Sequence, residues 1–155
     1  MIDNLGNAAD IKRYAKQAIK EKRYDDAWSL LHKQKESYIN HVNTINSRFG
    51  RGFSYIDMMV LVTSPHIDMA NILRLEGKHQ EALYHLSHHY VCLFKAKRNN
   101  ETINKKMESY FNRLNLNRTY SSFINKLKKL ESVEFVDVRA FISNYIDDNK
   151  SKVQK

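Results

Sequence analysis

SPHIDMANILRLEGKHQEALYHLSHHYVCLFKA, residues Ser64–Ala96, decides the fold. Ser64 can cap a helix, and Pro65 suits a first turn, where a missing N–H costs nothing. Met69, Ala70, Leu73 and Leu75 then recur at the helical period, and Gly77 marks the stop. Ala82, Leu83, Leu86, Tyr90, Leu93 and Phe94 stripe a second helix. The stretch therefore predicts a helical hairpin turning at one glycine.

An earlier stretch repeats it. Tyr14–Leu31 aligns with Met69–Leu86 at a constant offset of 55: Ala15 with Ala70, Ala18 with Leu73, Glu21 with Glu76, Ala27 with Ala82 and Leu31 with Leu86. Lys22 stands where Gly77 stands. Small alanines on facing helices let two backbones approach closely. A small residue within the first helix, a tight turn, an aromatic soon after it (Tyr24), then Ala27 or Ala82 and a large apolar residue four later resemble the tetratricopeptide repeat. The offset exceeds that family's period of about 34 residues, and no proline closes either unit. Its late small position is filled by Gln34 and His89. The resemblance implies stacked helical hairpins that serve as a scaffold.

Composition bounds the rest. At 155 residues, 42% hydrophobic and 28% charged, the chain suits one globular domain, expected over 1–148 with a frayed tail at 149–155. One proline and four glycines favour an all-α chain. The single cysteine, Cys92, excludes an intrachain disulfide, and its apolar neighbours read as those of a buried thiol. The opening MIDNLGNAAD has neither a basic start nor an apolar core, so no signal peptide is expected. The longest apolar run, around Met58–Val62, is far short of a membrane span. The expected location is the cytoplasm or a host cytoplasm.

In chain order, helices are expected over about 8–22, from Tyr24 or Asp25 to about Asn46, over 56–62, through the central hairpin, to about Leu114, from Asn117 or Thr119 to Leu130, and over about 134–147. Between the second and third lies RFGRGF, Arg48–Phe53. Such a loop can stack on a base and hold a phosphate, or it can be a glycine turn whose phenylalanines plug the core.

Charge is the strongest functional clue. The net charge is +9, and residues 95–129 hold ten basic side chains against Glu101 and Glu108. The ten are Lys95, Lys97, Arg98, Lys105, Lys106, Arg113, Arg118, Lys126, Lys128 and Lys129. Asparagines, Tyr110 and Tyr120 are interleaved, the two tyrosines read as able to reach solvent. Such a face can dock an acidic protein surface, neutralise nucleic-acid phosphates, or merely be solvated. Arg48 and Arg51 are a second candidate contact.

Enzyme signals are sparse. Glu81, His85 and His88 or His89 share a helical face, as metal ligands would, but the same pattern describes a wet helix surface. Arg74 and His79 form an Arg-x4-His pair. That spacing resembles the motif of the helical ribonucleases called HEPN, which implies phosphate handling and proton transfer by the pair. The reading adopted is an all-α chain of tetratricopeptide-like hairpins in a compact bundle or short solenoid, without cofactor or metal. It is expected to be a non-catalytic adaptor or inhibitor, by analogy a phage-type regulator, with the basic segment on an acidic protein partner. Direct RNA or DNA binding is the alternative, a HEPN-like ribonuclease a third reading, and a homodimer is compatible with all.

Overall fold

The computed structural model describes residues 3–49 and 54–153, the side chains of 47–49 and 151–153 excepted. The described residues form eight α-helices, one 3-10 turn and no strand, so the protein is all-α. The helices are α1 (Asn4–Lys20), α2 (Tyr24–Phe49), α3 (Tyr55–Thr63), α4 (His66–Leu75), α5 (His79–Lys95), α6 (Glu101–Arg113), α7 (Tyr120–Lys128) and α8 (Phe135–Val153). The 3-10 turn, Asn117–Thr119, leads into α7. No described helix is long and apolar enough to cross a membrane.

The α4–α5 hairpin forms where the central stretch predicts it. Gly77 takes φ +78°, the left-handed conformation that closes a helix. Its N–H donates to the Arg74 carbonyl at 3.0 Å, and the Lys78 N–H reaches back to Leu73 at 2.8 Å. The α1–α2 turn repeats this geometry 55 residues earlier. Lys22 takes φ 60°, its N–H donates to Ile19 at 3.0 Å, and the Arg23 N–H donates to Ala18 at 2.8 Å. The alanines do what their size predicts: Ala15, Ala18, Ala27, Ala70 and Ala82 are fully buried, as are Leu31 and Leu86.

Helix α5 is the hub. Eleven of its seventeen residues are buried, too many for an amphipathic surface helix. Helices α3, α4, α6, α7 and α8 pack around it. The main core runs from Leu83 and Leu86 through Met107, Phe111, Phe123 and Leu127 to Ile142 and Ile146. A smaller apolar cluster, Ala15, Ala18, Ala27 and Leu31 with Met69 and Ile72, seats the α1–α2 hairpin on α4.

Several local expectations change. Ser64 does not cap α4: its backbone is helical, and its hydroxyl donates to the Leu61 carbonyl at 2.7 Å, because α3 runs almost directly into α4. Ser54 is the cap that works, accepting from the Asp57 N–H at 3.2 Å. Leu75 is exposed, because it stands two residues from the buried Leu73 and so on the other face of α4. Helix α8 continues past residue 147 to Val153. Within RFGRGF, Arg48 and Phe49 belong to α2, while their side chains and residues 50–53, including Arg51, lie outside the described residues.

Candidate macromolecular interface

The basic segment is built on α5, α6 and α7 by their apolar faces. Ile103, Met107, Tyr110 and Phe111 turn inward from α6, and Tyr120, Phe123, Ile124 and Leu127 from α7. Phe111 and Phe123 meet at 4.5 Å between ring centroids, and Phe123 meets Tyr145 of α8 at 5.3 Å. The Tyr120 hydroxyl donates to the Asn104 carbonyl at 3.0 Å, tying the start of α7 to α6. With these faces buried, the charged residues have only solvent to face. Nine of the ten basic side chains of 95–129 are exposed and Lys128 is half-buried.

Tyr110 and Tyr120 are buried, contrary to the reading that put them on the surface. Each lies one or three residues from a core phenylalanine on its own helix, so the apolar stripe carries it inward. Burial pushes the Tyr120 hydroxyl above its ordinary pKa, and the same cause raises Tyr110. Neither ring is available to stack on a base.

The positive charges are not scattered at random. Lys95, Arg113, Lys126 and Lys128 sit in the last turns of α5, α6 and α7, Lys129 caps α7, and Lys97 and Arg98 follow the end of α5. Cations there complement the negative end of the helix dipole. Lys128 Nζ lies 5.5 Å above the Phe94 ring, which brings the end of α7 beside the end of α5. Lys126 Nζ lies 5.5 Å from the Tyr145 ring. Arg118 is exposed on the 3-10 turn. Lys105 and Lys106 are the exception: they project from the middle of α6, where no dipole rewards them.

Carboxylates interrupt this surface. Arg98 approaches Asp57 at 3.9 Å, and that is the one ion pair made by the ten among the described residues. Lys95 shares a shallow concavity with Glu131, Glu134 and Tyr55. On the outer side of α6, Lys105 stands one turn from both Glu101 and Glu108. Thr102, Lys106, Ser109 and Arg113 form a separate uncharged-or-basic stripe. Lys106 and Arg113 are two turns, about 10.5 Å, apart along it.

Arg74 and His79 flank the Gly77 turn. The Arg74 guanidinium donates to Asn71 Oδ1 at 2.7 and 3.2 Å. His79 Nδ1 is buried without a partner among the described residues.

The histidines of α5 are the feature that sequence reasoning misread. His88 and His89 are buried and His85 nearly so, not a wet surface. His88 and His89 sit where the hub helix has no wet side, while His85 also lines an open concavity with Asp25, Glu76 and Glu81. His66 from α4 and Lys35 from α2 join them. Lys35 Nζ is 2.9 Å from His66 Nε2, and His66 Nδ1 is 2.9 Å from His85 Nδ1. The His66 and His88 rings meet edge-on at 4.9 Å. Phe135 of α8 covers His66, His85 and His88, and Trp28 stands edge-on to His85 at 5.3 Å. His88 Nδ1 is buried without a partner among the described residues. His89 Nδ1 is 2.9 Å from the Thr63 hydroxyl. Burial, reinforced by Lys35, pushes His85 and His88 down to about 4; burial pushes His89 to a similar value and His66 further down. Among the described residues, no group of three or more histidine, cysteine, aspartate or glutamate side chains is arranged to hold a metal ion. The available signal was the dense run His85, His88 and His89 inside an apolar stripe. Cys92 is a buried free thiol, pushed up to about 11 by that burial.

No family model, curated protein or solved structure matches this chain.

Proposed function

We propose that this chain is a non-catalytic binding protein that docks residues 95–129 on an acidic protein surface, as an adaptor or inhibitor. The observation that carries the proposal is the exposed, almost unpaired charge on the α5–α7 surface. Nine of its ten cations make no ion pair among the described residues. Lys105 and Lys106 carry the most weight, because no helix end accounts for them. The interspersed Glu101, Glu108, Glu131 and Glu134 favour a protein partner. A folded surface can present charges of both signs, whereas a phosphate backbone presents one sign at regular spacing. The buried state of Tyr110 and Tyr120 supports the same choice, since it removes the aromatic platforms that single strands use. The engagement of Arg74 by Asn71 supports a structural use for that arginine rather than phosphate cleavage. The tetratricopeptide-like relationship of the two hairpins is proposed on the same footing, supported by their shared turn geometry and buried alanines.

Nucleic-acid affinity tests the choice of partner. Anisotropy titrations with labelled duplex DNA and single-stranded RNA at physiological salt are expected to give weak, sequence-indifferent binding, roughly 10⁻⁶ M or weaker. Tight, sequence-selective binding would overturn the proposal in favour of a nucleic-acid ligand.

A further inference from the structure

We infer that the Lys35–His66–His85–His88 cluster is a pH-responsive latch that holds the α1–α2 hairpin on α4–α5 and releases it on acidification. The hydrogen-bond chain defines the closed state. With Lys35 as donor, His66 Nε2 accepts, His66 Nδ1–H donates to His85 Nδ1, and the His85 proton lies on Nε2.

Each place where the closed cluster can take another proton is unfavourable. A proton on His85 Nδ1 would set two N–H groups against each other across 2.9 Å. A proton on His66 Nε2 would face the Lys35 ammonium at 2.9 Å. A proton on His88 Nδ1 would find no acceptor. Phe135 covers the His85 and His88 rings and Trp28 stands against His85, which limits the water that would stabilise the charge, although one side of His85 lines an open concavity. Most groups around the cluster do not help; the carboxylates of Asp25, Glu76 and Glu81 share a concavity with His85 alone of the histidines. Helix α2 contributes Lys35 and His32, α4 contributes His66, α5 contributes His85, His88, His89 and Cys92, and α8 contributes Arg139. Glu134 is the acid near Lys35, and its carboxylate is engaged by the Tyr55 hydroxyl. Once the seam opens, the rings meet water and take protons at the ordinary histidine pKa, so acid drives opening.

The seam that yields is the one α2 makes. Lys35 and Trp28 are the α2 side of the cluster, and beside them the hairpin is held by the small apolar cluster of α1, α2 and α4 and by the packing of α2 on α3. The α5–α8 body keeps its own aromatic core.

Trp28, the single tryptophan, reports on the cluster directly. The experiment titrates the whole chain from pH 8 to 4.5, following Trp28 quenching by acrylamide and backbone amide protection. Between pH 6.5 and 4.5, protection across residues 15–31 is expected to fall at least tenfold and Trp28 to become at least threefold more quenchable. Residues 103–127 should lose protection only as far as global stability falls, and less than residues 15–31. His66→Phe, which keeps a ring but does not titrate, should lower the pH of opening by at least one unit. Should that variant fail to fold, His85→Gln should lower it in the same direction. Residues 15–31 keeping their protection to pH 4.5 would overturn the inference. So would a loss of protection in 103–127 as large as that in 15–31, or an unchanged opening pH in the folded histidine variants.

Discussion

The two hairpin turns invite a reciprocal exchange, Lys22→Gly against Gly77→Ala. Both positions occupy the same left-handed conformation, at φ 60° and +78°, and both close the same pair of backbone hydrogen bonds. A Cβ added at Gly77 meets nothing within 4 Å, so Gly77→Ala carries a backbone cost and no clash. That cost is about 1–2 kcal/mol for an L-residue in this region. The restricted unfolded chain of alanine returns part of it, leaving a net loss of about 1 kcal/mol. Lys22 already bears the strain, is exposed and makes no ion pair among the described residues, so Lys22→Gly should recover a similar amount. In a chain of this size, 1 kcal/mol moves the melting temperature by about 3 °C. Thermal unfolding followed by circular dichroism should show Gly77→Ala lowered, Lys22→Gly raised, and the double variant near wild type. The reasoning fails if Lys22→Gly destabilises, or if Gly77→Ala leaves the melting temperature unchanged.

Other expectations are independent of those turns. Leu86→Ala, at the fully buried hub, should cost about 2–5 kcal/mol in urea unfolding, against a few tenths for the exposed Leu75→Ala. Acid should destabilise the whole protein: His85, His88 and His89 lie at about 4 when folded and near 6.5 when unfolded, so the unfolded chain binds more protons between those values. Their contribution is complete above pH 6.5 and is lost as the pH falls toward 4. Between pH 7 and 5 the loss is about 2 kcal/mol per histidine, readable as a falling urea midpoint. Cys92 should resist a thiol reagent in the native protein at pH 8 and react on unfolding, because burial holds it as the thiol. The double variant Lys105→Glu, Lys106→Glu should melt within about 1–2 kcal/mol of wild type, the loss coming from like charges set one turn from Glu101 and Glu108.

The hairpins were legible because their signals are local: alanine spacing, one glycine and a constant offset. The equivalence of Lys22 with Gly77 was also legible as an alignment, although lysine is a poor predictor of a left-handed turn. The burial of Tyr110 and Tyr120 was not, because an aromatic with a hydroxyl suits either side of a helix until its partners are known. The histidine cluster was hidden for a different reason. Its members come from α2, α4, α5 and α8, and no linear spacing joins Lys35 to His66 or either to Phe135. The α5 histidines read as wet because a surface helix has a polar face, whereas α5 is covered on nearly every side. The basic segment was visible as composition, and the structure adds that most of its cations stand at helix ends while Lys105 and Lys106 do not.

The central claim is tested most directly by capture from source or host lysate, with and without nuclease, using wild type and the Lys105→Glu, Lys106→Glu variant as matched baits. The account predicts a protein partner that survives nuclease and is lost, or weakened at least tenfold, with the charge-reversed bait. Capture that disappears with nuclease, or a partner held equally by both baits, would contradict it.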